Sequence, residues 1–280
     1  MKVINFGSLN IDFVYRVHEF ARPGETISAL GFARFAGGKG LNQSIALARA
    51  GAPTFHAGAV GEDGGFLLEM LRENGVDVSA VAVDANAPSG HAVIQVADSG
   101  ENLIVLFPGT NHRITREIIR RALSGAEAGD ILLLQNEISA IPEIMREAAE
   151  LQMRIFLNPA PMTDAVSEYP LELADTLIVN ETEWEALKPH RIPGGINVLR
   201  TLGARGAVYN DTIRVAARPV DKVVDTTAAG DTFIGYFIAE LLRGQGIETA
   251  METASAASAW SIQRAGAAVS IPWRRDLCDL

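Results

Sequence analysis

The chain has 280 residues, 48% of them apolar, enough to bury a sizeable core in one large or two unequal domains. Its formal charge of −10 leaves no general basic face for nucleic acid, so an anionic ligand has to be held locally by amides, a metal ion and a few placed basic groups. The single cysteine, Cys278, excludes an internal disulfide framework and fits a reducing cytoplasm, and no apolar run reaches the ~18 residues of a membrane span.

Met1-Lys2 leads straight into Val3–Phe6, a buried-strand pattern too short for the apolar core of a signal peptide. Leu9-Asn10-Ile11-Asp12 follows Gly7-Ser8. Polar groups just past a parallel strand are where open α/β sheets bind ligands, although Asn and Asp also serve in ordinary turns. From 11 to 36 the apolar residues alternate, and Pro23-Gly24 marks a turn, so a small inserted sheet is expected, with Thr26–Phe35 strand-like. Ala36-Gly37-Gly38-Lys39-Gly40-Leu41-Asn42-Gln43 then opens a helix expected over Ser44–Ala50 and stopped by Gly51. This glycine-rich start is a second possible anion or polar-ligand site. It is not a P-loop, because Gly40 stands where Ser or Thr should follow the lysine, nor is it a dinucleotide fingerprint. A plain helix-start loop would explain the glycines but not the pair Lys39 and Asn42.

Thr54–Val60 reads as a strand, Asp63–Asn74 as a helix closed by Gly75, and Val81–Val83 as a short strand. His91–Ala97 and Asn102–Phe107 flank the turn Asp98-Ser99-Gly100-Glu101, a hairpin signal. With the strands in 11–36 they would complete a four-stranded lid. One of its apolar faces would be left to cover a site or to meet a second subunit. From 115 onward strands alternate with helices, which implies a parallel sheet with right-handed crossovers. Gln135-Asn136-Glu137, Asn158-Pro159-Ala160 and Asn180-Glu181-Thr182-Glu183 each follow such a strand, so polar residues recur along one sheet edge and favour a single cleft. Thr201-Leu202-Gly203-Ala204-Arg205-Gly206 suits either a hairpin or a loop hugging a nucleotide.

Val224–Leu242 (V-D-T-T-A-A-G-D-T-F-I-G-Y-F-I-A-E-L-L) predicts a tight turn feeding a buried helix. Asp225 and Thr226 are good N-cap types, and the small residues Ala228-Ala229-Gly230 would let an anion reach the free amides. Asp231 at that place makes sense if it removes a proton from a nucleophile attacking the bound anion, which suggests phosphoryl transfer. The plainer alternative is a capping Asp225 and an Asp231 that complements the helix dipole, worth ~0.3–1 kcal/mol. A small-residue-rich helix is expected over Ile247–Arg264. The five histidines (His18, His56, His91, His112, His190) are scattered without ligand spacing.

The stretch Gly37–Gly51 (G-G-K-G-L-N-Q-S-I-A-L-A-R-A-G) and the stretch Asp225–Asp231 resemble, in order, the amino- and carboxy-terminal signatures of the PfkB, or ribokinase-like, carbohydrate kinases. The likeness runs from Gly7 to Trp273, with G-S-L-N-I-D, N-P-A-P, N-E-T-E, T-L-G-A-R-G and S-I-P-W between and around them. It implies a single α/β domain over residues 1–280, a three-layer α/β/α body with a mainly parallel sheet. Lid strands would be inserted at about 11–36 and 90–108, often shared in a homodimer. It also implies transfer of the γ-phosphoryl group of ATP, with Mg²⁺, to a primary hydroxyl of a pentose, D-ribose foremost, giving ribose 5-phosphate.

In this resemblance Asp231 matches the catalytic base, and Ala228, Ala229 and Gly230 the anion hole. Asn10, Asp12, Gly38, Lys39, Asn42 and Glu137 match sugar-binding positions, and Asn180, Glu183, Thr201 and Gly203 nucleotide and magnesium-influencing ones. Asp225, Thr227, Ser261, Arg264, Gly266 and Ser270 match a K⁺ site, mostly through carbonyl oxygens. The chain departs from the family in a short, proline-broken stretch (Pro189, Pro193) after Glu183, and in Ser255 where a larger polar residue often meets the adenine. Another sugar, a sugar acid or a nucleoside as acceptor is the alternative within the family. A non-catalytic sugar-binding regulator is the alternative outside catalysis. No nucleic-acid or membrane partner is expected.

Overall fold

The structure is a computed structural model that describes residues 1–188 and 192–277; Pro189, His190 and Cys278 lie outside the described residues. Val3–Phe6 forms strand β1, every residue of it buried. The next two strands, β2 (Asn10–Val17) and β3 (Gly31–Gly37), leave the body as an antiparallel pair. Residues 26–30, expected to be strand-like, precede β3 without regular structure. Helix α1 spans Lys39–Arg49, five residues ahead of the expected start. Its N-cap is Gly38 at φ 96°, where a Cβ would crowd the Ser8 backbone and hydroxyl at 3.1 Å. The glycines therefore hide a helix start that lies within the loop itself.

Strand β4 (Thr54–Gly61), a 3-10 turn at Glu62–Gly64, helix α2 (Gly65–Glu73) and strand β5 (Asp77–Asp84) follow. Then come β6 (Gly90–Ala97) and β7 (Asn102–Phe107), joined as the expected hairpin. The regular α/β half consists of α3 (Arg116–Leu123), β8 (Ile131–Gln135), α4 (Ile141–Glu150), β9 (Arg154–Asn158), β10 (Thr176–Asn180), α5 (Glu181–Leu187) and β11 (Asn197–Thr201). It ends in the short antiparallel strands β12 (Ala207–Tyr209) and β13 (Ile213–Val215). Helices α6 (Ala229–Leu242) and α7 (Ile247–Ser261) return to the body; α7 stops three residues before its expected end.

Among the described residues, nine strands form the main sheet in the order β13-β12-β11-β10-β9-β8-β1-β4-β5, parallel from β11 to β5. Successive side chains take opposite faces. Val3, Leu133, Phe156 and Ile178 pack with α1, α2, α6 and α7, whereas Ile4, Leu132, Ile155 and Leu177 pack with α3 and α4. Both faces are covered, so the strands read as continuous apolar runs, and the body is a three-layer α/β/α sandwich. The second sheet has the order β3-β2-β6-β7, with β2 and β6 parallel. It is the expected lid, and Ile104, Val105, Leu106 and Phe107 of β7 are 48–59% exposed.

Candidate active site

The carboxyl ends of β1, β8, β9 and β10 point one way, as parallel pairing requires, and the N-termini of α1 and α6 meet them there. Between them lies a cleft of about 230 Å³ lined by Lys39, Asn158, Asn180, Glu183, Thr201, Ala228, Ala229, Gly230 and Asp231. Helices α1 and α6 can approach so closely because α6 carries Gly235. A Cβ there would collide with the Ala46 side chain and lie 2.8 Å from the Leu47 backbone nitrogen. One turn earlier on each helix, this approach brings Asp231 to α1. The Asn42 amide donates to Asp231 Oδ2 at 3.0 Å and the Gln43 amide donates to Oδ1 at 2.9 Å. Asp231 is only 7% exposed, so each carboxylate oxygen has a donor where water is scarce.

The turn before α6 differs from its expected form. The N-cap is Ala228, in the left-handed region at φ 59° and ψ 11°. Asp225 does not cap the helix. Its Oδ1 accepts from the Thr227 backbone N–H at 2.9 Å and hydroxyl at 2.6 Å, and its Oδ2 accepts from the Gly266 N–H at 2.9 Å. Burial would raise the Asp225 carboxyl, but these three bonds outweigh it and hold it below the usual range. The Ala229 N–H is turned to the Thr226 carbonyl at 3.2 Å, so it can serve an anion only by giving up that bond. Gly230 has open space on the side where a Cβ would stand. The first-turn amides of an α-helix have no intrahelical acceptor, which leaves the Gly230 N–H for a ligand.

On the lid side of the cleft, Asn10 and Asp12 come from the first residues of β2. A Cβ on Gly37 would collide with the Asp12 carboxylate, which is why glycine faces it. Glu137 accepts from the Ser8 hydroxyl and from the Lys39 backbone N–H, the latter at 3.0 Å. Burial, then the Glu137 charge, pushes Asp12 up to about 6; burial also raises Glu137 above the usual carboxylate range. Burial works to lower the Lys39 ammonium, but Asp231, Glu137 and Glu183 outweigh it and raise it. One cation thus sits amid three carboxylates. The Asn42 Oδ1 is buried without a partner, an acceptor suited to a ligand hydroxyl.

On the opposite side, Asn180 and Glu183 form a reciprocal capping box at the start of α5, with both backbone-to-side-chain bonds at 2.8 Å. Asn180 also donates to Glu183 Oε1 at 2.9 Å. Helix α5 ends at Leu187, and Pro189 of the short stretch after it lies outside the described residues. Thr201 ends β11, and Gly203 (φ 56°) sits in the turn that leads into β12; the hairpin reading of this stretch holds. Ser255 is buried and tied to Ala216 and Arg218 rather than standing free.

The proposed cation positions gather in part. Gly266 bonds to Asp225, and the Ser261 carbonyl accepts from the Arg264 N–H at 3.0 Å. The Arg264 guanidinium turns away, 3.9 Å over the Trp260 ring, so only its backbone could serve a cation. The Ser270 hydroxyl donates to Ala267. Asp225, Thr227 and Gly266 are joined by hydrogen bonds, and their carboxylate, hydroxyl and carbonyl oxygens are the hard donors a monovalent cation would take. Among the described residues no three His, Cys, Asp or Glu side chains form a metal cluster. Glu183 on the cleft wall offers a carboxylate of the kind that would hold Mg²⁺, were one bound.

The sequence placed Gln135 and Asn158 on the cleft edge and Gln43 in the glycine-rich helix start, but gave none of them, nor Asn111, an individual role. Gln43, Gln135 and Asn158 stand behind Asp231, and Asn111 donates to the Asn10 side chain at 2.7 Å. The available signal was a polar residue closing an apolar strand, as in Ile131–Gln135, or interrupting a buried helix face, as at Gln43.

A doubly covered parallel sheet thus carries, at the carboxyl edge of its strands, a cleft walled by a helix start and a buried carboxylate, with a small second sheet beside it. The chain belongs to the pfkB family of carbohydrate kinases, whose family model matches residues 1–274. It is 33% identical to a ribokinase of Haemophilus influenzae over 98% of this chain and 96% of that protein. It is 35% identical to a ribokinase of Staphylococcus aureus over 97% and 96%. Among solved structures it is similar to Arabidopsis thaliana ribokinase complexed with ribose and ATP, with a TM-score of 0.88, 30% identity, and coverage of 99% and 97%. Ribokinase from Cryptococcus neoformans in complex with ADP gives 0.87, 30% identity, and 99% of both chains. The chain is thus an ATP-dependent carbohydrate kinase.

Proposed function

We propose that this kinase phosphorylates a primary hydroxyl of a pentose, D-ribose foremost, to ribose 5-phosphate, with Asp231 as the general base. The observation that carries the reading is the buried Asp231 carboxylate. It is held by Asn42 and Gln43 at the first turn of α6, on the wall of the cleft that also presents Lys39 and Gly230.

The sugar hydroxyl gives its proton to Asp231 as its oxygen bonds to the γ-phosphorus. The bond from that phosphorus to the β,γ-bridging oxygen breaks, and ADP leaves. Charge on the transferring group meets the N–H groups at the start of α6, from Ala228 and Gly230, and Ala229 if its bond to Thr226 opens. Asn10, Asp12, Gly38, Lys39, Asn42 and Glu137 hold the sugar. Carboxylates accept from its hydroxyls and amides do both. Asn180, Glu183, Thr201 and Gly203 border the nucleotide. Mg²⁺, when bound with the nucleotide, neutralises phosphate charge; K⁺ at Asp225, Thr227, Ser261, Arg264, Gly266 and Ser270 would steady the loop before α6. The lid excludes water and pairs with a second copy in a homodimer, and the enzyme works in the cytoplasm.

The test is ADP release with Mg·ATP and D-ribose, with and without K⁺, for wild type and Asp231→Asn. Ribose-dependent turnover that falls by about 10²–10⁴-fold in the variant supports the reading. Folded wild type that turns over other acceptors from a panel of sugars and nucleosides but not ribose sinks the assignment of the acceptor.

A further inference from the structure

Behind Asp231 the body contains a buried ladder of amide side chains, in a region where a polar group is costly unless it is satisfied. Asn5, Gln43 and Gln135 are fully buried within it. Its polarity is set at two backbone carbonyls. Asn5 donates to the Gly40 carbonyl at 2.8 Å, so its own oxygen must face the other way and accepts from Gln135 at 2.9 Å. The same Gln135 amide donates to Gln43 Oε1 at 2.7 Å. Separately, Asn158 donates to the Ile178 carbonyl at 2.8 Å, which turns its oxygen toward the Gln43 amide at 3.2 Å. Gln43 is therefore caught between a donor on its oxygen and an acceptor on its nitrogen. A flipped amide would break both bonds, so an N–H is aimed at Asp231 Oδ1.

We propose that Gln43 is a positioning residue for the reaction: with Asn42 on the other oxygen, it sets the plane of the Asp231 carboxylate so that a free lone pair faces the substrate hydroxyl. The proposal rests on the reading of Asp231 as general base. Gln43 is shut off from the cleft behind Asp231, so it acts on the rate rather than on substrate affinity. Misplacing a reacting group by about 1 Å can cost ~10²-fold.

The experiment compares wild type, Q43L, Q43E and D231N with Mg·ATP and D-ribose. Q43L removes the donor and is expected to lower kcat about tenfold or more, with KM for both substrates changed less than about threefold. Q43E keeps the shape and sets a second carboxylate against Asp231, so the acid limb of its kcat–pH profile moves up by about one pH unit or more. Lys39 and Glu183 on the cleft wall, and Glu137 and Asp12 beside it, carry the same charges in both proteins, so the difference between the profiles isolates position 43. The moved limb reports that position 43 faces Asp231; the split between kcat and KM in Q43L separates positioning from a purely structural role, which would lower substrate affinity as well. Q43L with wild-type kcat, or a loss carried wholly by KM, overturns the proposal. If Q43L does not fold, an unmoved acid limb in Q43E does so instead. Full activity in D231N would instead remove the base itself, whatever Gln43 does.

Discussion

Asp12 and Glu137, on the lid side of the cleft, give the site a pH dependence whose sign can be worked out. Asp12 titrates near 6 in the folded chain, above its ordinary 3.8, so the native state binds that proton more tightly than the unfolded chain. Stability therefore falls as pH rises from about 4 to 6 and is level above that. Asp12→Asn is expected to raise the unfolding midpoint above pH 6, with the gain vanishing toward pH 4 in thermal melts. The same substitution should raise the sugar KM at pH 7, because it removes an ionised acceptor. His56 works in the opposite direction. It is fully buried, and burial, only partly opposed by the Gly7 backbone, pushes it down to about 4 from 6.5. Its neutral ring contributes stability above 6.5 that is lost as pH falls toward 4. A melt series for His56→Gln should show a flatter acid side than wild type.

At the level of elements, the crossing of α1 and α6 sets the site. Gly235→Ala places a methyl group against Ala46 and is expected to cost about 1–3 kcal/mol in chemical denaturation and to lower kcat, since Asn42 and Gln43 shift away from Asp231. The capping box of α5 gives Asn180 a structural share in what otherwise reads as a nucleotide contact. Asn180→Ala should cost about 1 kcal/mol of stability even without nucleotide. A loss of ATP affinity with no change in melting would contradict that share.

Strands β1, β8, β9 and β10 were legible because each is a buried apolar run closed by polar residues. Strand β5, mostly outside the core, was expected only over Val81–Val83 and spans Asp77–Asp84. Asp231 and Lys39 were legible because they fall inside long motifs. The start of α1 was not, because Gly38 and Gly40 read as loop although one of them caps the helix. Nor was the Ala228 cap: side-chain chemistry favoured Asp225, but the backbone turn, closed by Thr226 and Asp225 bonds, decides it. Strand β13 is three residues, too short for any periodicity. The amides behind Asp231 look like ordinary polar residues until the fold stacks them.

Across the whole molecule, the lid strands carry a run of apolar side chains that the chain alone leaves open to solvent. Ile104, Leu106 and Phe35 share one face of its sheet, as alternation from Asp12 requires, and all three are more than half exposed. If that face meets a second copy, Ile104→Glu with Leu106→Glu should convert a dimer to a monomer in sedimentation velocity and raise the sugar KM. A wild type that sediments as a monomer at high concentration would dismiss the dimer.

The strand order has a consequence for synthesis. Both lid hairpins, α1 and the strands β1, β4 and β5 lie within the first 107 residues, and β8 to β13 then add outward one after another on the far side of β1. A chain leaving the ribosome can therefore build the lid, α1 and the strands around β1 first. Only α6, emerging more than a hundred residues later, brings Asp231 and covers the apolar flank of α1. Ribosome-stalled chains ending before residue 229 should resist protease in the sheet while α1 stays cleavable, and they should be inert, so that no kinase acts before its last layer closes.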